Sequence, residues 1–187
     1  GIPYLLPEIQ AAAKKGVVIS SQTKLFFEEL MANRRITKST KPIVIGITGT
    51  KGKGTTSTLT FQMLKNAKYK AVLAGNIGKP MIESLAKAKK ADYVVLELSS
   101  FQLQDMSVSP DIAVVVDIFP DHLDAHKDLR EYYAAKANIG HFQKKSGRIF
   151  FYTTNAGSAR IAAKSPARKH GITPKYDNLR KNFEMAA

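Results

Sequence analysis

Three stretches of this sequence are apolar almost from end to end: "IVIGI" at 43–47, "DYVVLELS" at 92–99 and "DIAVVVDIF" at 111–119. None alternates apolar with polar residues, so none suits a sheet with one wet face. The segments between them carry apolar residues at helical spacing, as Leu59, Met63 and Leu64 do within 53–66. The pattern predicts helices over 53–66, 80–90 and 127–143, further strands over 70–75 and 147–154, and a short helix in "NAGSARIAAK". Strands buried on both faces and separated by helices specify an α/β fold: a mostly parallel sheet with helices on both faces. Ligands of such sheets bind beyond the carboxyl ends of the strands. The loops after Ile47, Ala74, Leu98 and Phe119 are therefore expected to share one crevice.

A different unit precedes this pattern. Residues 7–15 read as a helix with Pro7 in its first turn and Gly16 just past its end. "VVIS" at 17–20 reads as a short strand, 22–35 as a second helix, and "ITKSTKP" at 36–42 as a polar linker. The last twenty residues are basic and without clear pattern. There are no cysteines, which excludes disulfides, thiolate metal sites and a cysteine nucleophile. No run approaches the ~20 apolar residues of a membrane-spanning helix. The chain opens on "GIPYLLPEIQ", without an initiator Met or a signal-peptide pattern, as a processed or excised piece would. A cytoplasmic location is expected. The 29 basic and 15 acidic residues give a net charge of +14. Such a balance suits anionic partners, but the lysines are dispersed rather than blocked with aromatics, so a solvated surface is preferred over a nucleic-acid patch.

The unusual residues fall in the crevice loops. In "GITGTKGKGTTS", Gly49, Gly52 and Gly54 let backbone approach an anion, and a helix N-terminus follows with free N–H groups. Thr50 and Lys51 lie within this loop, and Lys53 is placed to reach terminal phosphates. Glu97 ends a buried strand beside the loop, where a carboxylate commonly serves magnesium. "PDHLDAH" sets Asp121, His122, Asp124 and His126 after another buried strand. It is either a polar turn with a helix cap or part of a metal site. Zinc would need a further nitrogen or sulfur ligand that is not evident nearby, and oxygen ligands with one histidine favour magnesium. Lys136 shares a helix face with Leu129, Tyr132 and Ile139 that is otherwise apolar. It is either a snorkelling lysine or a buried amine of lowered pKa able to add carbon dioxide. Asn76, in "AGNIGKP", is either a turn residue or a substrate contact.

Taken in order, these segments resemble the Mur ligases of peptidoglycan synthesis. The loop resembles their "GTxGK" ATP loop and "DHLDAH" their "DHLDRH" segment. "AGNIGKP", "LELSSFQL" and "GIPYLLPEIQAAAKKGVVI" resemble the branch that adds D-glutamate to UDP-N-acetylmuramoyl-L-alanine. The likeness spans roughly residues 1–155. "TTNAGSA" resembles the family's "NADD" segment without its acids. The resemblance implies a P-loop NTPase-like central domain over 39–187 and, over 1–38, the tail of a domain that binds the UDP substrate. It implies ATP and Mg2+ as cofactors and amide ligation through an acyl phosphate. Lys53, His122 and Lys136 would be catalytic; Thr55, Glu97, His122 and a carbamylated Lys136 would hold metal. Gly49, Thr50, Lys51, Gly52, Lys53, Gly54, Thr55 and Thr56 would hold nucleotide, and Asn76, Ser99 and Gln102 would face substrate.

Two departures qualify that expectation. Gly54 stands where this branch carries Ser or Thr. Folylpolyglutamate synthases, which are related, have "GKGS" there, so a hydroxyl one residue later can serve; Thr55 is nominated for the metal ahead of Thr56. Family members also have an N-terminal domain, a central ATPase and a C-terminal domain that brings the amino acid. Ligation by these residues alone is not expected. The alternatives are a folylpolyglutamate synthase-like ligase and a non-catalytic nucleotide- or nucleic-acid-binding relative.

Overall fold

The structure, a computed structural model, describes residues 4–77, 80–121, 126–174 and Met185. Six parallel strands form one sheet: β1 Ile43–Thr48, β2 Ala71–Gly75, β3 Tyr93–Glu97, β4 Ile112–Val115, β5 Arg148–Tyr152 and β6 Arg168–Ile172. Their order is β2-β3-β1-β4-β5-β6. From β1 the chain passes to the edge strand β2, returns with β3 beside β1, and then crosses to β4, β5 and β6 on the other side, so the order reverses around β1. Its carboxyl end, with those of β3 and β4, forms the crevice where open α/β sheets take ligands.

Successive residues of each inner strand serve opposite cores, as the absence of alternation predicts. On one face Val44, Val94, Leu96, Ala113, Val115 and Ile149 join a large apolar cluster. Helices α2 (Gln22–Thr37), α5 (Ser100–Leu103), α6 (Leu129–His141) and α7 (Ala156–Ala163) cover it through Phe26, Phe27, Leu30, Leu103, Tyr132, Ile139 and Ile161. On the other face Ile45, Ile47, Val95, Val114 and Val116 pack with Phe61 and Leu64 of α3 (Lys53–Asn66).

Local signals differ from the sequence expectation in three places. Residues 17–20, expected as a strand, have no strand partner among the described residues, and Val18 is 89% exposed. β-Branched residues favour a strand only where a sheet edge receives them. The helix expected over 80–90 is a 3-10 turn, Met81–Ser84, followed by the single-turn α4, Leu85–Ala88. β6 lies where no pattern was read. It is an edge strand whose "RKHG" side chains are exposed, so it carries no apolar run. Its polarity is what an edge strand requires to avoid pairing with other chains.

Residues 7–14 form α1 without burying any side chain. Helix α2, by contrast, is part of the sheet's core. Ser21 caps its first turn by accepting from Lys24 N–H. Near its end Arg34 makes a two-pronged ion pair with Asp111, Nη2 to Oδ2 at 2.5 Å and Nη1 to Oδ1 at 3.2 Å, and also donates to Pro42 O. Asp111 accepts Val44 N–H at 2.8 Å as well. One carboxylate thus ties α2 to the starts of β1 and β4. Asp111→Ala leaves a largely buried guanidinium short of its acceptor, and is expected to cost about 2 kcal/mol in denaturant unfolding. A loss under about 0.5 kcal/mol would show that the apolar contacts of α2 alone hold it.

Candidate active site

The loop from Gly49 to Gly52 leaves β1 and enters α3. Gly52 is the N-cap of α3 with φ +86°, a conformation that favours glycine. Gly49 lies so close to β4 that a Cβ there would sit 2.2 Å from Val116 Cγ2. The loop backbone is fixed by the segment after β4: Thr50 N–H donates to Asp117 O at 2.7 Å, and Phe119 N–H donates to Thr50 Oγ1 at 2.9 Å. The Thr50 and Tyr132 hydroxyls lie 2.8 Å apart in a hydrogen bond. The amino end of α3 therefore presents its first N–H groups and partial positive charge to the crevice, along a backbone of which three residues are glycine.

Lys53 opens α3 and folds back, its Nζ donating to Thr50 O at 3.0 Å. Burial lowers its pKa, while Glu97 and Asp121 raise it. Glu97 is 8% exposed; burial raises its pKa, and Lys53 and a hydrogen bond from the Asn76 side chain oppose the rise. Asn76 also donates its backbone N–H to Glu97 O at 2.9 Å. A Cβ on Gly54 would come 3.1 Å from Glu97 Oε2. The carboxylate thus lies against the first turn of α3, in space that Ser or Thr at 54 would crowd. In the same turn Thr55 is exposed, whereas Thr56 is fully buried.

Lys136 projects from the middle of α6 into this region and is 2% exposed. Its Nζ donates to Gly49 O at 2.9 Å and lies 4.9 Å from the Tyr132 ring centroid. Burial, with the Lys53 charge nearby, pulls its pKa down to about 7, against a smaller opposing pull from Asp121. It does not snorkel. Burial of an amine beside this glycine-rich loop favours its neutral form.

The crevice residues thus meet: Gly49 to Lys53, Gly54, Thr55, Asn76, Glu97, Asp121 and Lys136. Two others behave differently. Ser99 accepts Gln102 N–H at 3.2 Å and donates its backbone N–H to Gln102 Oε1 at 3.0 Å, a capping box on α5. His122 and Asp124 lie outside the described residues. His126 is buried with both ring nitrogens engaged, Nδ1 with Glu131 Oε2 and Nε2 with Ser100 Oγ at 2.8 Å. A carboxylate only accepts, so Nδ1 carries a proton. Gln104 donates to the other oxygen of Glu131 at 2.6 Å, completing a link between α5 and α6. Among the described residues no group of three or more His, Cys, Asp or Glu could by itself hold a metal ion. An oxygen-rich magnesium site, by contrast, draws on few protein ligands and on phosphate oxygens. The exposed Thr55 hydroxyl and the Glu97 carboxylate, at the anion-binding end of α3, fit that requirement.

The sequence did not point to the His126–Glu131–Ser100 network or to the Thr50–Tyr132 contact. The only available signal was Glu131 five residues after His126, which is weak. No helix among the described residues is long and apolar enough to cross a membrane.

Comparison with known proteins places the fold in a family. The profile of the Mur ligase middle domain matches residues 47–185. The UDP-N-acetylmuramoylalanine–D-glutamate ligase of Acetivibrio thermocellus is 43% identical over 149 residues, 80% of this chain and 30% of that protein. The ligase of the same name from Clostridium botulinum (strain Hall) is 41% identical over 143 residues, 76% of this chain and 29% of that protein. The chain thus spans about 30% of the length of these curated relatives. A MurF ligase from Thermotoga maritima in complex with ADP superimposes with a TM-score of 0.60 at 19% identity, over 85% of this chain and 37% of that one. E. coli FolC, in complex with DHPP and ADP, does so with a TM-score of 0.57 at 18% identity, over 95% and 56%. The fold is common to both groups. The sequence profile and the two relatives above 40% identity decide between them: this chain belongs to the Mur ligase family, and its residues 47–185 match that family's middle domain.

Proposed function

We propose that these residues are the ATP- and magnesium-binding part of a cytoplasmic ligase that adds D-glutamate to UDP-N-acetylmuramoyl-L-alanine. The observation that carries the reading is the meeting of Lys53, Glu97 and the buried Lys136 at one glycine-lined helix N-terminus. Residues 39–187 would be the ATPase domain and 1–38 the tail of an N-terminal domain whose last helix, α2, is docked on the sheet. The domains for the UDP substrate and for the amino acid lie in the parts of the relatives that this chain does not match.

Magnesium-bound ATP supplies the phosphoryl group that activates the substrate carboxylate. Lys53 places a fixed positive charge where phosphoryl charge develops. Glu97, oriented by Asn76, and Thr55 would supply oxygens to magnesium. Lys136, whose pKa burial pulls down to about 7, would form an N–C bond to carbon dioxide and lose one proton to solvent, and the resulting anion with His122 would hold a second metal. Ser99 and Gln102 fix the start of α5 at the edge of the substrate space. The FolC likeness motivates a folate-type ligase as the rival. Likeness of fold alone supports that rival, whereas identity above 40% supports the muramoyl ligase.

The test is a chimera in which this chain replaces the matched segment of the Acetivibrio thermocellus ligase. ADP release is expected to require both UDP-N-acetylmuramoyl-L-alanine and D-glutamate. Release that requires a folate substrate instead would move the assignment to the rival. Within the same chimera, Thr55→Val should raise the magnesium requirement about tenfold and Thr56→Val by less, for loss of one ligand oxygen. The reverse order would assign the metal to Thr56.

A further inference from the structure

The phosphate loop takes its position from the segment that follows β4, and that segment is itself gripped from behind. Asn155, the N-cap of α7, holds Ile118 on both sides: Oδ1 accepts Ile118 N–H at 3.2 Å, and Nδ2 donates to Ile118 O at 3.2 Å. The same Oδ1 caps α7 by accepting Ser158 N–H at 2.8 Å. Ser158 Oγ in turn donates to Val115 O at 2.7 Å. Asn155 is 9% exposed and Ser158 fully buried, so these bonds form away from competing water. On the opposite side of the same segment, Asp117 O accepts Thr50 N–H and Lys51 N–H, and Phe119 N–H meets Thr50 Oγ1. Gly49 lies flat on Val116. The backbone from 115 to 119 is therefore clamped between α7 and the loop.

We infer that Asn155 is a positioning residue of the nucleotide site: its amide sets the height of residues 117–119, and through them the register of Thr50 and Lys51. A helix cap needs only an acceptor, which Ser or Asp supplies equally well. The second bond, from Nδ2 to Ile118 O, has no capping purpose and requires the amide. The inference rests on the nucleotide reading only for its second readout.

Asn155→Ser keeps an N-cap for α7 but is too short to bridge Ile118. Ala163→Gly, at the exposed end of α7, serves as a stability control that touches neither. Amide hydrogen exchange of this chain by NMR reads the loop directly. In the Asn155→Ser protein the Thr50 and Lys51 amides are expected to exchange about tenfold faster, the loss of roughly one buried hydrogen bond. In the Ala163→Gly protein they should be unchanged, and affinity for a magnesium-bound ATP analogue should fall only in the former. Asn155→Asp, which keeps the cap and the bond from Ile118 N–H, gives the same exchange change if the serine variant does not fold. Unchanged Thr50 exchange in the folded Asn155 variant, or equal acceleration in the Ala163→Gly control, overturns the inference. Absence of nucleotide binding in the unsubstituted chain would count against the proposed function, while exchange still decides the role of Asn155.

Discussion

Lys53→Ala is expected to weaken binding of a non-hydrolysable ATP analogue in magnesium by about a hundredfold, the worth of a charge-assisted contact in a partly dry site. The reasoning starts from where this amine lies. It is partly buried at the first residue of α3, its Nζ rests on Thr50 O, and its charge is held by Glu97 and Asp121. A polyphosphate at the helix N-terminus gives it a stronger partner, and with alanine that gain is lost while the backbone cradle remains. Lys65→Ala, in the last turn of the same helix, removes equal charge far from the loop and should change affinity by less than about twofold, since exposed charges are screened over a Debye length. Equal losses in the two variants would mean that general basicity, and not the loop, attracts the nucleotide.

Lys136→Met is expected to change both the chemistry and the pH dependence of stability. The amine's pKa is about 7 in the folded chain and near 10.5 unfolded. Between those values the unfolded state binds more protons than the folded one, so unfolding free energy rises with pH across that window. The slope approaches about 1.4 kcal/mol per pH unit. In bicarbonate-free buffer, denaturant unfolding between pH 7.5 and 9.5 should show that rise, and Lys136→Met should flatten it. Under carbon-13 bicarbonate the unsubstituted chain should give a carbamate resonance that the methionine variant lacks. Identical pH slopes in the two proteins would show that Lys136 stays charged and hydrated; a missing resonance would remove the carbamate from the proposed metal site.

The parts of this fold that were legible in the sequence are those written locally. The unalternating strands 43–47, 92–99 and 111–119 announce burial on both faces, and β1, β3 and β4 are the centre of the sheet. The phosphate loop is equally local, because glycines, a lysine and a helix start lie within twelve residues. The burial of Lys136 was legible as one of two readings, from its apolar neighbours on one helix face, and the structure resolves it in favour of burial. What could not be read depends on partners distant in sequence. β6 is defined by its pairing with β5, not by its own polar residues. Val17 and Val18 have strand character but no sheet edge to join. Asn155 looked like a remnant of a motif that lacks its acids. Its bonds to Ile118, thirty-seven residues earlier, emerge only when β4 and α7 are brought together. Gly54 reads in sequence as a departure from the branch pattern, whereas in space it gives Glu97 room at the start of α3.

The most direct measurement is a calorimetric titration of this chain with a non-hydrolysable ATP analogue, with magnesium and then with chelator. The account predicts saturable binding that depends on magnesium and changes little when salt is raised from low to physiological strength. Binding without a magnesium requirement that collapses steeply with salt would contradict it, because that behaviour belongs to a polyanion on a basic surface.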